Sequence, residues 1–351
     1  MVAMHILIVG AYPPPIGGIT VHVKRLFSAL KENGHQVTVF DFGGKDSHLK
    51  PEEVLTSYGD IFRKIISNIG EKKSNRLVHI HVSAMGKFRW IGPLLITLFR
   101  KYPKVITIHS GSFIQQAGTT ANSWYIKGLL GTFNQIITVN QEQKEYLSLL
   151  GIPNEKMTVI PAFLPQEPDH VSIPKDVKKL RDEKEILAIT SGYLTPIYNY
   201  ETLIDAIEKL PSEKYGFIFA FYTKYDPVYQ ERVLSRLSAL PNTLVLRDQT
   251  PEAYLNLVSA SDIYVRAALR DGDSVAIREA LQMGKTVFAT DVVERPDTCQ
   301  LFSAHDPQSL SLLFQQYHSE ASPPIAEGGI SGIEAIVKVY QKAHAHFPAK
   351  R

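Results

Sequence analysis

ASDIYVRAALRDGDSVAIREALQMGKTVFATD, residues 260–291, decides the fold. A short apolar strand, Asp262 to Val265, opens it. A polar loop with one glycine follows, Arg270 to Ser274. Then come a helix ending near Gly284 and a second apolar strand, Thr286 to Ala289. Strand, loop, helix and strand in that order make one unit of a parallel α/β sheet. The loop brings the carboxylates Asp271 and Asp273, the Ser274 hydroxyl and backbone N–H groups to a helix N-terminus. The first helical N–H groups lack internal partners and the helix dipole is positive there, so the place suits an anionic or polyhydroxyl ligand. Glu279 lies one turn further on, on the same side. The plainer reading is that Asp271, Asp273 and Ser274 serve as N-caps.

The same alternation extends in both directions. In the first half, strand-like runs fall at His5–Gly10, Gln36–Asp41, Leu77–Val82, Val105–His109, Gln135–Val139 and Met157–Pro161. In the second they fall at Ile186–Ser191, Tyr215–Tyr222, Thr243–Leu246, Asp262–Val265, Thr286–Ala289 and Cys299–Phe302. Helical patterns fill most intervals, most clearly Thr20–Asn33, Gln141–Leu150, Tyr200–Leu210, Pro227–Leu240 and Pro251–Ala260. Val and Ile runs without strict alternation fit strands buried on both faces. The expectation is two doubly wound, Rossmann-like α/β domains facing a cleft. They span residues 1–165 and 185–329, with a proline-bearing linker over 166–184. A last helix, residues 330–347, carries Ile333, Ile336, Val337 and Tyr340 at helical spacing.

Composition closes off other classes. At 351 residues the chain can hold two ordinary domains. The net charge of +3 is too small for a nucleic-acid binder, so no nucleic-acid partner is expected. The one cysteine, Cys299, excludes an intrachain disulfide and fits a reducing compartment; its apolar neighbours suggest a structural thiol. Residues 1–10 lead straight into a strand pattern, so no signal peptide is expected. The longest apolar candidate, Trp90–Phe99, has about half the ~20 residues a membrane span requires. A cytoplasmic protein is expected.

Two loops in the first half carry chemistry. Ala11-Tyr12-Pro13-Pro14-Pro15-Ile16-Gly17-Gly18 links the first strand to a helix, and its glycine pair lets backbone approach a ligand. It matches neither the P-loop nor the dinucleotide glycine pattern. A tight turn needing positive φ is the other explanation. His109 stands at the end of a strand, before Ser110-Gly111-Ser112, where ligands of open parallel sheets bind. His79 and His81 alternate on a strand; with no third ligand in the motif, packing is favoured over metal.

Taken together and in this order, these features resemble a retaining glycosyltransferase of the GT-B fold, in the family 4-like group. Ile6 through Gly17-Gly18 is similar to the family's opening strand and Gly-Gly loop, near the donor diphosphate and the acceptor. Thr107-Ile108-His109 is similar to its T-x-H segment, whose His lines the donor-sugar site. Val159-Ile160-Pro161 resembles the segment before the hinge, and Gly192-Tyr193-Leu194 through Ala206 the start of the second domain. Asp271 to Gly284 resembles the E-x7-E motif and its helix. The resemblance implies that Asp271 accepts hydrogen bonds from sugar hydroxyls and that Glu279 grips the ribose. It also implies that the helix over residues 330–347 packs back on the first domain.

The sequence departs from the family twice. Asp271 replaces the first Glu of the motif. Tyr193, Tyr198 and Asn199 stand where the family has the Arg, Lys and Gly that serve the diphosphate, so both cations are missing. A partly buried pyrophosphate needs its charge balanced. Arg266 and Arg270 are the first candidates to supply it, Lys224 and Arg247 the second. Asp271-Gly272-Asp273 also spells D-x-D, the metal motif of the other glycosyltransferase fold, and is discounted because the surroundings resemble the metal-independent type.

The expected activity is retaining transfer from a UDP- or GDP-linked sugar to a saccharide or lipid-linked saccharide, in bacterial surface polysaccharide or glycoconjugate synthesis. His109 and Asp271 would orient the sugar as the catalytic pair. Gly17, Gly18, Arg266, Arg270, Gly272, Asp273, Ser274, Val275 and Glu279 would bind the donor, with no metal and no further cofactor. Domain closure would exclude water. Lys87–Ile91, Leu94–Lys101 and Trp124–Lys127 combine basic, aromatic and apolar residues. They suit either an anionic bilayer at the inner membrane face or helices packed on the sheet, and packing is favoured. The rival functions are a non-catalytic GT-B protein, such as a nucleotide-sugar sensor or synthase subunit, and a sugar-nucleotide epimerase. The epimerase would need an acid/base set that the sequence does not show.

Overall fold

The computed structural model describes residues 3–42, 50–69, 75–82, 85–109, 113–114, 120–165, 173–318 and 332–347. The chain divides into two compact units, Met1–Leu164 with Gly329–Arg351, and Pro165–Gly328.

The first unit holds a seven-stranded sheet in the order β3-β2-β1-β4-β5-β6-β7. The strands are β1 (His5–Val9), β2 (Gln36–Phe40), β3 (Val54–Leu55), β4 (Arg76–Val82), β5 (Lys104–Ile108), β6 (Gln135–Thr138) and β7 (Met157–Val159). All their pairings are parallel. Every residue of β4, β5 and β6 is buried, which accounts for their Val and Ile runs. Helices α1 (Gly18–Glu32), α2 (Tyr58–Ile69), α3 (Met85–Leu98), α4 (Thr120–Gly131) and α5 (Gln141–Leu149) belong to this unit. The side chains of α1 join one face of the sheet through Val23, Leu26, Phe27 and Leu30. Phe88 and Leu95 of α3 and Leu129 of α4 join the other.

The second unit has six parallel strands in the order β10-β9-β8-β11-β12-β13. They are β8 (Ile186–Leu194), β9 (Tyr215–Tyr225), β10 (Thr243–Arg247), β11 (Ile263–Arg266), β12 (Thr286–Thr290) and β13 (Gln300–Phe302). Its helices are α6 (Lys175–Glu183), α7 (Tyr200–Ile207), α8 (Pro227–Ser238), α9 (Pro251–Ala260), α10 (Val275–Gln282) and α11 (Pro307–Gln316). Helix α6 falls inside the stretch expected to be linker. Its sparse apolar pattern, Val177 and Leu180, suffices because both side chains pack under β8 and β9.

The final helix, α12 (Gly332–Ala345), belongs to the first unit. Ile336, Val337, Val339, Tyr340 and Ala343 are buried in the same core as α1, and the helix touches β5 and β6. The Tyr340 hydroxyl lies 2.8 Å from His79 Nδ1, deep in the core.

In each sheet the strand order reverses once, between β1 and β4 and between β8 and β11. Loops leaving those strand ends diverge, and ligands of such sheets collect in the gap. None of the described helices is long and apolar enough to cross a membrane.

Candidate functional site

At the reversal point of the second unit, β8 ends in Gly192-Tyr193-Leu194. Gly192 has φ +151, and a Cβ there would lie 2.0 Å from Tyr198 Cε1, so only glycine lets that ring fold back over the strand end. Asn199 takes the left-handed conformation (φ 51) at the position that the resemblance gives to glycine. Among non-glycine residues asparagine is one of those that tolerate it best.

The two tyrosines that stand where the resemblance implies cations each carry a cation over the ring. The Arg266 guanidinium sits 4.8 Å from the Tyr198 centroid, and Lys224 Nζ lies 5.7 Å from that of Tyr193. Burial, aided by Tyr198, pushes the Tyr193 phenol up to about 12, so it is neutral at ordinary pH. These cations come from the ends of strands, Arg266 from β11 and Lys224 from β9. Arg270 is exposed and has no ion pair or hydrogen bond among the described residues. Arg247 is exposed and bonds Gln230 at 3.4 Å.

Asp271 is engaged by arginines. Arg266 grips it with two bonds of 2.9 Å, through Nε to Oδ2 and Nη2 to Oδ1. Arg295 Nη1 adds a third bond of 2.9 Å to Oδ2. Arg295 follows β12 and carries no sequence motif; its position beyond a strand end is the one signal that could have found it. Its Nη2 is buried without a hydrogen-bond partner among the described residues. Asp273 pairs with Arg278 at 2.6 Å, one turn into α10. Ser274 is the N-cap of α10 but makes no side-chain cap bond, so capping does not account for its hydroxyl. Val275 begins the helix, and Gly272 N–H donates to Asp271 Oδ1 at 3.2 Å. Glu279 is buried at the heart of α10. After burial itself, its charge is the main influence that raises the Tyr222 phenol, which places it beside that ring.

In the first unit, Gly17 caps α1 in extended backbone, and Gly18 has open space where a Cβ would go. Neither has positive φ, so the tight-turn explanation of the pair fails. The loop before them is pinned by a buried ion pair, Lys50 Nζ to Asp41 Oδ2 at 2.7 Å, with Lys50 also donating to the Tyr12 carbonyl at 3.1 Å.

His109 follows β5 and meets His81 of β4, Nε2 to Nδ1, at 2.9 Å. His22 of α1 packs on both rings, 4.9 Å from His109 and 5.4 Å from His81 between centroids. The sequence motif supplied no third ligand to accompany His79 and His81; the fold brings His22 and His109 to His81 instead. His79 is occupied at both nitrogens, by Tyr340 and by Thr107 Oγ1 at 2.7 Å. Residues Ser110-Gly111-Ser112 lie outside the described residues.

Residues 16–165 match the model of Glycosyltransferase Family 4. No curated protein matches the chain in sequence. Among solved structures, HepE of Anabaena in complex with UDP-glucose is similar, with a TM-score of 0.69 at 17% identity over 97% of this chain and 98% of that one. A glycosyltransferase from Rickettsia africae follows at 0.67 and 16%, over 98% and 94%. Sucrose-phosphate synthase from Thermosynechococcus elongatus gives 0.66 and 15%, over 97% and 96%. Two doubly wound parallel sheets and these likenesses give the chain the GT-B fold, and its residues 16–165 match the Glycosyltransferase Family 4 model.

Proposed function

We propose that the chain transfers a sugar, with retention, from a UDP- or GDP-linked donor to a saccharide or lipid-linked saccharide, in bacterial surface polysaccharide or glycoconjugate synthesis. The observation that carries this reading is the pair of relocated cations, Arg266 over Tyr198 and Lys224 over Tyr193. They bring charge to the places where the family's own cations are missing. HepE holds UDP-glucose, which supports a uridine nucleotide here.

In this reading the second unit binds the nucleotide. Arg266 and Lys224 balance the diphosphate, and the backbone N–H groups of Ser274 and Val275 add to the field on the departing oxygens. Glu279 holds the ribose. Asp271 fixes the Arg266 guanidinium in place through its bidentate bond, a positioning role. Gly17, Gly18 and His109 serve the sugar and acceptor, as the family resemblance implies. No metal is required by this scheme.

Calorimetry with UDP and GDP tests it. Wild type should bind one of them, and Lys224→Met, an exposed change, should weaken binding about tenfold, the low end for a charged hydrogen bond. Glu279→Gln should cost about 1.5–3 kcal/mol of nucleotide affinity. Absence of binding to any nucleoside diphosphate sinks the transferase reading. A second reading, a non-catalytic nucleotide-sugar binder, is favoured by the commitment of both Asp271 oxygens to arginines. Nucleotide binding without donor turnover across an acceptor screen would select it.

A peripheral membrane contact is proposed for helices α3 and α4. Both readings of these segments find support: Phe88 and Leu95 pack inward, while Trp90 and Trp124 are 77% and 80% exposed. The helices are tied together by Arg89 to Asn122 at 2.9 Å and by the Tyr125 hydroxyl to the Arg89 carbonyl at 2.5 Å. Cosedimentation with anionic vesicles should fall several-fold in a Trp90→Ala/Trp124→Ala chain, roughly the loss of two interfacial aromatic anchors. Equal sedimentation of both chains would rule the contact out.

A further inference from the structure

We propose that His22, His81 and His109 form a binding site for one divalent transition-metal ion of the zinc class. The proposal goes beyond the transferase reading and shares only His109 with it.

Three imidazoles from three separate elements converge: His22 from α1, His81 from β4 and His109 from the turn after β5. One ring nitrogen from each lies within 4.8 Å of the others. Zinc–nitrogen bonds of ~2.0–2.1 Å set tetrahedral nitrogens ~3.3 Å apart. His81 Nδ1 and His109 Nε2 are already 2.9 Å apart. Ring rotation, chiefly at the partly exposed His109, can make up the remaining difference.

The surroundings orient the rings as ligand supports do. His22 Nδ1 lies 3.0 Å from the Ala162 carbonyl, so that nitrogen carries the proton and Nε2 keeps its lone pair. His79 is held from both sides by Tyr340 and Thr107 and lies tilted 4.1 Å from His81 between centroids, a wall and not a ligand. Gly10 leaves room for the His81 ring: a Cβ there would stand 3.2 Å from His81 Cβ.

His81 is 8% exposed and meets His109 through Nδ1, so an ion between the two rings takes the place of the proton they share.

The chemistry of the donor set selects the ion. Three neutral imidazoles suit zinc, copper, nickel or cobalt, and are poor ligands for magnesium or calcium, which require oxygen. Burial lowers the basicity of all three rings, in His22 to about 4, so they stand in the ligating neutral form at pH 7 and need lose no proton on binding. Arg25, one turn along α1, is the nearby cation that opposes an ion; it is drawn toward the Leu164 carbonyl at 3.3 Å. The exposed side of His109 gives an ion its way in.

The test uses the whole tag-free chain after treatment with a chelator. Cobalt(II) should give a visible band that saturates at one ion per chain, zinc should abolish it, and excess magnesium should not. His109→Asn should lower zinc affinity by more than ~10–100-fold, the loss that even a supporting residue causes. His22→Gln should do the same, with circular dichroism reporting its folding; should it unfold, the variant at the less buried His109 decides. His305→Gln, at an exposed histidine of the other unit, should leave binding unchanged. No cobalt band in wild type, or zinc affinity equal in wild type and His109→Asn, overturns the site. UDP and GDP titrated into wild type separate the two ideas: a cobalt band with no binding of either nucleotide sinks the transferase reading and leaves the metal site standing.

Discussion

An Asp271→Asn chain is expected to lose about 3–5 kcal/mol of second-unit stability, the usual loss when one partner of a buried ion cluster is removed. Asp271 is the only carboxylate that the described ion pairs give to Arg266 and Arg295. The side chains are 12% exposed for Arg266, 2% for Arg295 and 9% for Asp271. Asparagine fits the space but cannot balance two guanidinium charges that water hardly reaches. Burial opposes the Asp271 charge, yet the Arg266 and Arg295 guanidiniums prevail and hold its carboxyl below the ordinary 3.8. A carboxyl depressed in the folded state stabilises above its unfolded value and ceases to do so as pH falls through its folded value. Wild type should therefore exceed the variant in urea unfolding at neutral pH, and the gap should close in acid, below about pH 4. A gap under about 1 kcal/mol at pH 7 would mean that the arginines find other partners.

Lys50→Met should cost a similar amount, about 3–5 kcal/mol, in the first unit. Lys50 and Asp41 have side chains 0% and 3% exposed, and their bond is 2.7 Å. Methionine fills the volume but strands a buried carboxylate, whose remaining bonds include the Tyr12 N–H at 3.2 Å. The Tyr12 carbonyl also loses its lysine donor, so the loop leading to Gly17-Gly18 should loosen with the core. Replacing both partners, Lys50→Met with Asp41→Leu, should recover most of the loss, because two apolar side chains leave no charge uncompensated. Denaturant midpoints of the three chains check this. If the double variant is no better than the single one, the damage lies in lost hydrogen bonds and not in charge.

The strands were legible because a buried parallel sheet asks for local Val and Ile runs, and each run, such as Ile6–Val9 or Val105–Ile108, speaks for itself. Helix α6 was not, because nine mostly charged residues with two apolar anchors look like a linker until something covers Val177 and Leu180. The strand-end rule placed Asp271 and His109 at the mouths of their sheets from sequence alone. What those residues touch was out of reach. Arg295 lies 24 positions from Asp271 and His22 lies 87 from His109, with no spacing rule to connect them.

The sequence by itself determined the alternation of strand and helix, the class of sheet, and the loops at the strand ends, since these follow from periods of two and 3.6 residues and from glycine and proline. It also showed tyrosines, Tyr193 and Tyr198, at the two places where the resemblance implies cations. The tertiary structure alone decided which cations lie over the two tyrosines, Arg266 over Tyr198 and Lys224 over Tyr193, since a long side chain crosses between strands. It alone decided that Asp271 is shared by two arginines and that three histidines meet. Burial, pairing and convergence depend on distances in space, and those exist only once the sheets have formed.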